Sequence, residues 1–325
     1  MRALPRLEAA SVGAIITDPP YGIDFNGEPW DGQLIRLQTR SREARQTAAE
    51  ALYAWSVQWA LQCLRVLRPG AHLAAFGAPR TAHRLACALE DAGFQLRDTL
   101  MWLYGSGMPK SRRLAGGQAT ALKPAYEPIL LARKPLEAPV ERNIERHRTG
   151  ALNAGACRVG DRFPANVLVT HHPACRAGAC HSSRCPAAMI DGDAHRRGRP
   201  GWPPEPPSRI FYCSKASRRE RDTGCERLPL QKLDLFPRAH RGDRPSRLAA
   251  NAHPTVKPLE LMRWLTRLLA PEDALVLDPF CGSGTTGAAA VLEGRRFLGI
   301  ERDAHYVTVA RARIAHWDAA AGRDA

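Results

Sequence analysis

The 325-residue chain has no run of about eighteen apolar residues, which excludes a membrane-spanning helix of ordinary length. Aromatic residues are scarce at 6%, while 44% of the chain is hydrophobic, the balance of a soluble globular protein. In "MRALPRLEAASVGAIITDPPYG" the only apolar run is short and leads into an acid–proline turn, so a cytoplasmic location without a signal peptide is expected. There are nine cysteines and no C-x2-C pair. Without an export signal they are expected as reduced thiols or metal ligands, not as a disulfide framework.

Acidic residues are also in short supply: 32 Asp and Glu face 47 Lys and Arg, a net charge of +15. Residues 131–250 alone hold 23 Lys and Arg against 12 Asp and Glu, or +11 of that total, and nearly all of it is arginine. Arginine's planar fork suits phosphate oxygens, so a polyanion is the first partner to consider. A basic solvated surface is the alternative.

The pattern along the chain alternates between strand-like and helix-like segments at both ends and breaks between them. Strands are expected at 12–17, 71–77 and 94–105, with "EPILLARK" (127–134) a partner strand, and helices at 44–67 and 79–92. "RPG" (68–70) ends the first helix. Later come a helix at 258–269, a strand at 274–278, a helix at 284–294, a strand at 295–301 and a helix at 304–317. This alternation predicts an α/β fold with a largely parallel sheet covered on both faces. Residues 135–250, rich in Pro, Gly, Arg and His, read as an insertion between a first half (1–134) and a last half (251–325) of one sheet. Trp55 and Trp59, at helical spacing, are expected in the core.

Two turns stand out. In "ITDPPYGIDF" (16–25) an apolar strand runs into Asp18, Pro19, Pro20 and Tyr21. Two prolines lack N–H groups and fix φ, so the strand must stop, with Asp18 and Tyr21 on a stiff backbone at its carboxyl end, where open α/β sheets bind ligands. An ordinary strand-ending turn would use the same residue types. In "VLDPFCGSGTTGAAA" (276–290) a strand, a glycine-rich turn and a helix start follow one another, with Gly282 and Gly284 free to turn tightly. No Lys-Ser/Thr pair follows, so it is no P-loop, and the spacing is not G-x-G-x-x-G. Glu301, ending the next strand, stands where an acid can hold ribose hydroxyls. Glycines and an acid without a lysine suit a nucleoside cofactor that carries no phosphates.

With both turns in place the chain resembles the S-adenosylmethionine-dependent DNA amino-methyltransferases. "DPPY" (18–21) is similar to their catalytic motif, "DPFCGSG" (278–284) to their cofactor loop, and "HPTVKPLELMRWL" (253–265) to the segment before that loop. Catalytic motif first, variable segment second and cofactor loop last is the order of the β class, and the resemblance covers about 10–133 and 250–317. It implies a Rossmann-like sheet in circularly permuted order, with 135–250 as the inserted target-recognition segment. Asp18, Pro19, Pro20 and Tyr21 would be catalytic. Asp278, Phe280, Gly282, Gly284, Glu301 and Lys257 would bind S-adenosylmethionine. Double-stranded DNA would be the partner, with a homodimer and a restriction enzyme as further partners left open, and the target base would be swung out of the duplex.

An exocyclic amine is a poor nucleophile because its lone pair is delocalised into the ring. Asp18 and the Pro19 carbonyl can accept its two N–H bonds and draw the nitrogen toward tetrahedral geometry, and Tyr21 can stack on the base. Methylation at a ring carbon needs a cysteine, usually after a proline, and no Pro-Cys pair exists. In the family "DPPY" accompanies adenine N6 more often and "SPPY" cytosine N4, so adenine is expected. Cytosine N4, an RNA or protein-amide substrate, and a catalytically dead DNA-binding module are the alternatives.

Three further segments carry open readings. "HHPACRAGACHSSRC" (171–185) spaces Cys175, Cys180 and Cys185 by four residues, with His171, His172 and His181 nearby. Three thiolates and one imidazole, His172 in the first instance, could close a structural zinc site that staples the insertion, against the reading of reduced bystander thiols. "GIDFNGEPWDGQ" (22–33) is either a loop closing over the base or plain surface. "SKASRRERDTG" (214–224) is either a phosphate contact or a solvated helix.

Overall fold

In the computed structural model the described residues are 3–25, 28–39, 47–104, 114–122, 124–158, 163–169, 215–233 and 247–322. They form a seven-stranded sheet in the order β5-β3-β4-β2-β1-β8-β9 and a separate hairpin β6–β7. The strands are β1 (Val12–Thr17), β2 (Leu67–Phe76), β3 (Gln95–Leu103), β4 (Tyr126–Arg133), β5 (Val167–Val169), β6 (Gln231–Leu233), β7 (Arg247–Ala249), β8 (Leu275–Asp278) and β9 (Arg296–Gly299). The helices are α1 (Gln33–Thr39), α2 (Ala48–Val66), α3 (Ala82–Asp91), α4 (Val140–His147), α5 (Arg218–Asp222), α6 (Leu259–Leu269), α7 (Thr285–Leu292) and α8 (Ala304–Ala321). Among the described residues no helix is long and apolar enough to cross a membrane.

The expected sheet is present, and β4 is its antiparallel member, paired that way with both β2 and β3. β1 lies parallel between β2 and β8, and β9 continues beyond β8. The chain order therefore reverses at β1 and β8, which joins the first and last thirds of the sequence at the middle of one sheet. A crevice forms at the carboxyl ends of strands where the order reverses.

All six residues of β1 are buried, as a strand covered on both faces requires. Ala14 and Ile16 pack with Leu261, Trp264 and Leu265 of α6, while Val12 and Ile15 pack with Leu52, Trp55 and Trp59 of α2. A bulge between Val12 and Ala14 shifts the register and puts Val12 on the face of Ile15. α2 begins at Ala48, not at 44, because Thr47 and Glu50 form a reciprocal capping box there. α2 ends at Val66, ahead of "RPG", which lies inside the next strand and does not separate it from the helix as expected. Leu67–Phe76 is one strand, with Gly70 at φ +77°. Asn143 Nδ2 and Thr149 Oγ1 donate to the Pro69 carbonyl at 2.9 and 2.6 Å, which docks the end of α4 against that bend. A Cβ on Gly70 would lie 2.5 Å from Asn143 Nδ2, so glycine is required by space as well as by φ.

Parts of the 135–250 stretch belong to the sheet itself. β5 pairs with β3 along its edge, Cys157 and Leu168 are buried in the core on the α6 face, and Cys157 donates to the Trp264 carbonyl.

Trp59, fully buried, holds the α2 face together and packs edge-on against Phe280 at 5.5 Å between ring centroids. Trp59→Ala is expected to lower stability by about 3–5 kcal/mol. A urea midpoint unchanged from wild type would remove this ring from the core argument.

Candidate active site

The crevice at the carboxyl ends of β1 and β8 is a cleft of about 680 Å³. Asp18, Pro20, Lys257, Asp278, Phe280, Gly282 and Glu301 all line it, so residues almost three hundred positions apart meet in one place. Three residues named with them do not face it. Pro19 is buried, Gly284 caps α7 under the backbone of Ala310, and Tyr21 lines a small cavity beside Leu52 and Gly77.

Asp278 joins the two turns. Its carboxylate accepts from the Thr17 hydroxyl (2.6 Å), the Thr286 hydroxyl (2.6 Å) and the Phe280 N–H (3.0 Å). Burial pushes its pKa up to about 6, against these three donors, which favour the charged form. One acid thus pins the end of β1, the glycine-rich turn and the start of α7.

The glycine-rich turn is fixed from below and from the side. Gly282 has φ +51°, and a Cβ there would sit 2.7 Å from His253 Nε2. Glu301 accepts from the Gly282 N–H at 2.8 Å and from the Arg302 and Asp303 N–H groups. Arg313 of α8, fully buried, donates to the Ser283 carbonyl at 2.7 Å and the Thr285 hydroxyl at 3.0 Å. Phe280 lies tilted against Trp55 at 5.4 Å and edge-on to Trp59 at 5.5 Å. The two tryptophans are core, as expected, and Trp55 also walls the cleft.

Asp18 is held from both of its oxygens. Tyr21 Oη donates to its Oδ1 at 2.7 Å, and the Lys257 ammonium pairs with its Oδ2. Lys257, expected among the cofactor residues, directs its charge at this acid and at Glu127, 3.6 Å away. Desolvation dominates Asp18 and raises its pKa, opposed by Lys257. Burial likewise raises Tyr21 well above the ordinary phenol range, and the Asp18 and Glu127 charges add to the effect. The Cys281 thiol lines the same cleft, and burial raises its pKa well above the usual range, which disfavours the thiolate. His253 is held neutral, with burial lowering its pKa to about 3.

Asp31, Glu127, His253 and Arg313 complete the site without having been singled out by sequence reasoning. Asp31 lies in the "GIDFNGEPWDGQ" loop, whose described part is ordered around it. Its carboxylate accepts from the N–H groups of Tyr21 (2.5 Å), Gly22 (2.9 Å), Ile23 (3.2 Å) and Phe25 (2.8 Å). An acid in a glycine-containing loop was the available signal. Arg313 had none, because only packing brings α8 under the turn. In the "SKASRRERDTG" segment, three side chains of α5 turn inward while Arg218 and Arg219 stay exposed. Arg221 donates to the His253 carbonyl, and Glu220 and Asp222 accept from the Leu259 and Asn251 N–H groups at 2.6 and 3.0 Å. Cys175, Cys180, Cys185 and His172 lie outside the described residues. Among the described residues no three His, Cys, Asp or Glu side chains are grouped to hold a metal ion.

A doubly wound sheet with an acid–proline turn and a glycine-rich turn meeting at its switch point defines an α/β methyltransferase. The family model described as DNA methylase, that of the N6/N4 amino-methyltransferases, matches residues 12–312, and the chain belongs to this family. It is a DNA methyltransferase. The Type II methyltransferase M.HindIII of Haemophilus influenzae is 23% identical over 354 residues, 96% of this chain and 91% of its own length. M2.DpnII of Streptococcus pneumoniae, another Type II methyltransferase, is 45% identical over 65 residues, 20% of this chain and 24% of its own. The fold is shared with the cytosine-N4-specific PvuII DNA methyltransferase, with a TM-score of 0.58 and 17% identity over 95% of this chain and 82% of that one.

Asp31→Ala strands four N–H donors and is expected to lower stability on the order of 3 kcal/mol. The 22–33 loop should then be cut by protease before the rest of the chain unfolds. An unchanged urea midpoint together with an uncut loop would show that Asp31 does not organise it.

Proposed function

We propose that the protein methylates the exocyclic N6 of adenine in duplex DNA, using S-adenosylmethionine. The observation that carries the reading is that the Asp18 carboxylate and the Glu301 carboxylate face one cleft from the ends of adjacent parts of a single sheet. The donor set of the cleft suits this cofactor: carboxylates at Glu301 and Asp303, aromatic rings at Trp30, Phe280 and Tyr306, and no P-loop lysine. Such walls suit a nucleoside with free hydroxyls, which the two carboxylates could accept from.

Glu301 would hold the ribose hydroxyls, Phe280 the base, and the backbone of the Gly282 turn would allow close approach. Bound there, S-adenosylmethionine supplies an electrophilic methyl carbon and leaves as a thioether. Asp18, which faces the cleft, would accept an N–H bond of the target amine, which draws the nitrogen toward tetrahedral geometry and frees its lone pair for in-line attack. As the new C–N bond forms, one amine proton passes to Asp18. Tyr21 would hold the Asp18 carboxylate until the base, swung out of the stack, arrives. The arginine-rich 135–250 segment would track the phosphates, with affinity falling as salt rises. Asp at the first motif position favours adenine over cytosine by family association.

Asp18→Ala is expected to slow methyl transfer by about 10²- to 10⁴-fold and to leave cofactor affinity near wild type. Transfer of tritiated methyl to duplex DNA, RNA and protein substrates measures this, and long-read sequencing of DNA from an expressing, methylation-free host gives base and site. Activity within a few-fold of wild type would remove Asp18 from the chemistry, and N4-methylcytosine in the DNA would overturn the adenine reading. Glu301→Gln is expected to weaken S-adenosylmethionine binding about tenfold, or about 1.4 kcal/mol. Calorimetry showing equal affinity would take Glu301 out of the cofactor site.

A further inference from the structure

We propose that Glu127 of β4 is a positioning residue that takes over Lys257 and the Tyr21 hydroxyl when the target amine reaches Asp18. The inference rests on Asp18 being the carboxylate that meets the amine. The four charged groups form an alternating row: Asp18, Lys257, Glu127 and Lys215. Lys257 contacts Asp18 Oδ2 and lies 3.6 Å from Glu127 Oε2, and Lys215, from the segment before α5, lies 3.6 Å from Glu127 Oε1. Lys215 also sits 3.6 Å above the centre of the Tyr104 ring of β3.

Both donors now bound to Asp18 therefore share one second acceptor. Tyr21 Oη is 2.7 Å from Asp18 Oδ1 and 3.3 Å from Glu127 Oε2, the same oxygen that faces Lys257. This shared acceptor solves a problem of the proposed chemistry. With an ammonium and a phenol on it, Asp18 is a weak proton acceptor. A carboxylate released from both, in a desolvated site, is a much stronger one. Releasing a buried ammonium with nowhere to go would cost several kcal/mol. Glu127 removes that obstacle, because Lys257 and Tyr21 can move to it by small rotations while the net charge of the row stays constant. Lys215 balances the second carboxylate in the meantime, so the row stays neutral only while the 215–222 segment is docked. Side-chain exposures of 9% for Lys257, 16% for Glu127 and 19% for Asp18 keep the exchange out of bulk water.

The sign of the pH effect follows from the groups around Asp18: Tyr21 beside it, Lys257 before α6, Glu127 on β4, and Asp278 on β8. Glu127→Gln removes a negative charge that raises the Asp18 pKa and leaves the ammonium seated on Asp18. Both changes stabilise the carboxylate, so the acid limb of the rate profile moves to lower pH while the plateau falls.

The test is single-turnover methyl transfer to duplex DNA across pH, for wild type, Glu127→Gln, Glu127→Asp and Asp18→Ala, with melting temperature and S-adenosylmethionine affinity measured for each. Glu127→Gln should be at least about tenfold slower, bind cofactor within about twofold of wild type, and show the acid limb displaced downward. Glu127→Asp keeps the charge one methylene short, and should lie between Gln and wild type in both rate and limb. A Gln variant at the wild-type rate, or one that is slower with an unmoved limb, overturns the inference. If the Gln variant does not fold, an Asp variant equal to wild type in rate and limb overturns it equally. Activity surviving in Asp18→Ala would instead overturn the assignment of Asp18, whereas an inactive Asp18→Ala beside an unaffected Glu127→Gln defeats the role of Glu127 alone.

Discussion

The rest of the site depends on one buried acid. Asp278 has three donors, Thr17 at the end of β1, Thr286 at the start of α7 and Phe280 in the turn between β8 and α7. Removing any one donor would leave a desolvated carboxylate short of a partner, which is costly in a low-dielectric interior. The three contacts therefore fix the distance between the turn that carries Asp18 and the turn that carries Phe280 and Gly282. A chain whose acid–proline and glycine-rich turns are separated by a long, basic segment needs such a joint. Backbone pairing between β1 and β8 sets the strands side by side, and Asp278 sets the loops at their ends.

The electrostatics of the cleft follow the same economy of buried charge. Asp18, Glu127, Lys257 and Lys215 are tolerated because signs alternate along the row, and each carboxylate keeps hydrogen-bond donors in reach. Where no counter-charge is available the group gives up its charge, as His253 does. Helix α5 illustrates how misleading net charge can be locally. Its "RRERD" reads as surface, yet Glu220, Arg221 and Asp222 all turn toward the 251–259 segment and hold it in place. The basic character of the 131–250 stretch and its structural role near the cleft thus involve different residues. Lys215 and α5 brace the site.

Much of this was legible in the chain. The hydrophobic alternation located β1, β3, β8 and β9 and helices α2, α3, α6, α7 and α8 within a few residues, because a sheet buried on both faces leaves long apolar runs and its covering helices leave a 3.6-residue period. Element ends moved where side chains closed them, as Thr47 and Glu50 did at α2. The acid–proline turn and the glycine-rich turn were readable because proline and glycine restrict or free the backbone in ways no other residue imitates.

What the sequence determined by itself was therefore local: which segments are strand or helix, which turns end them, and which residue types stand at those turns. The tertiary structure alone decided that β4 runs against its neighbours, that Lys257 faces Asp18 and Glu127, and that Asp31 and Arg313 brace the two turns from opposite directions. Those facts depend on contacts between residues far apart in the chain, 239 positions for the Lys257–Asp18 pair. Periodicity and turn chemistry act over a few neighbours. Pairing of buried charges and donors acts only once packing has brought the partners together and removed the water between them.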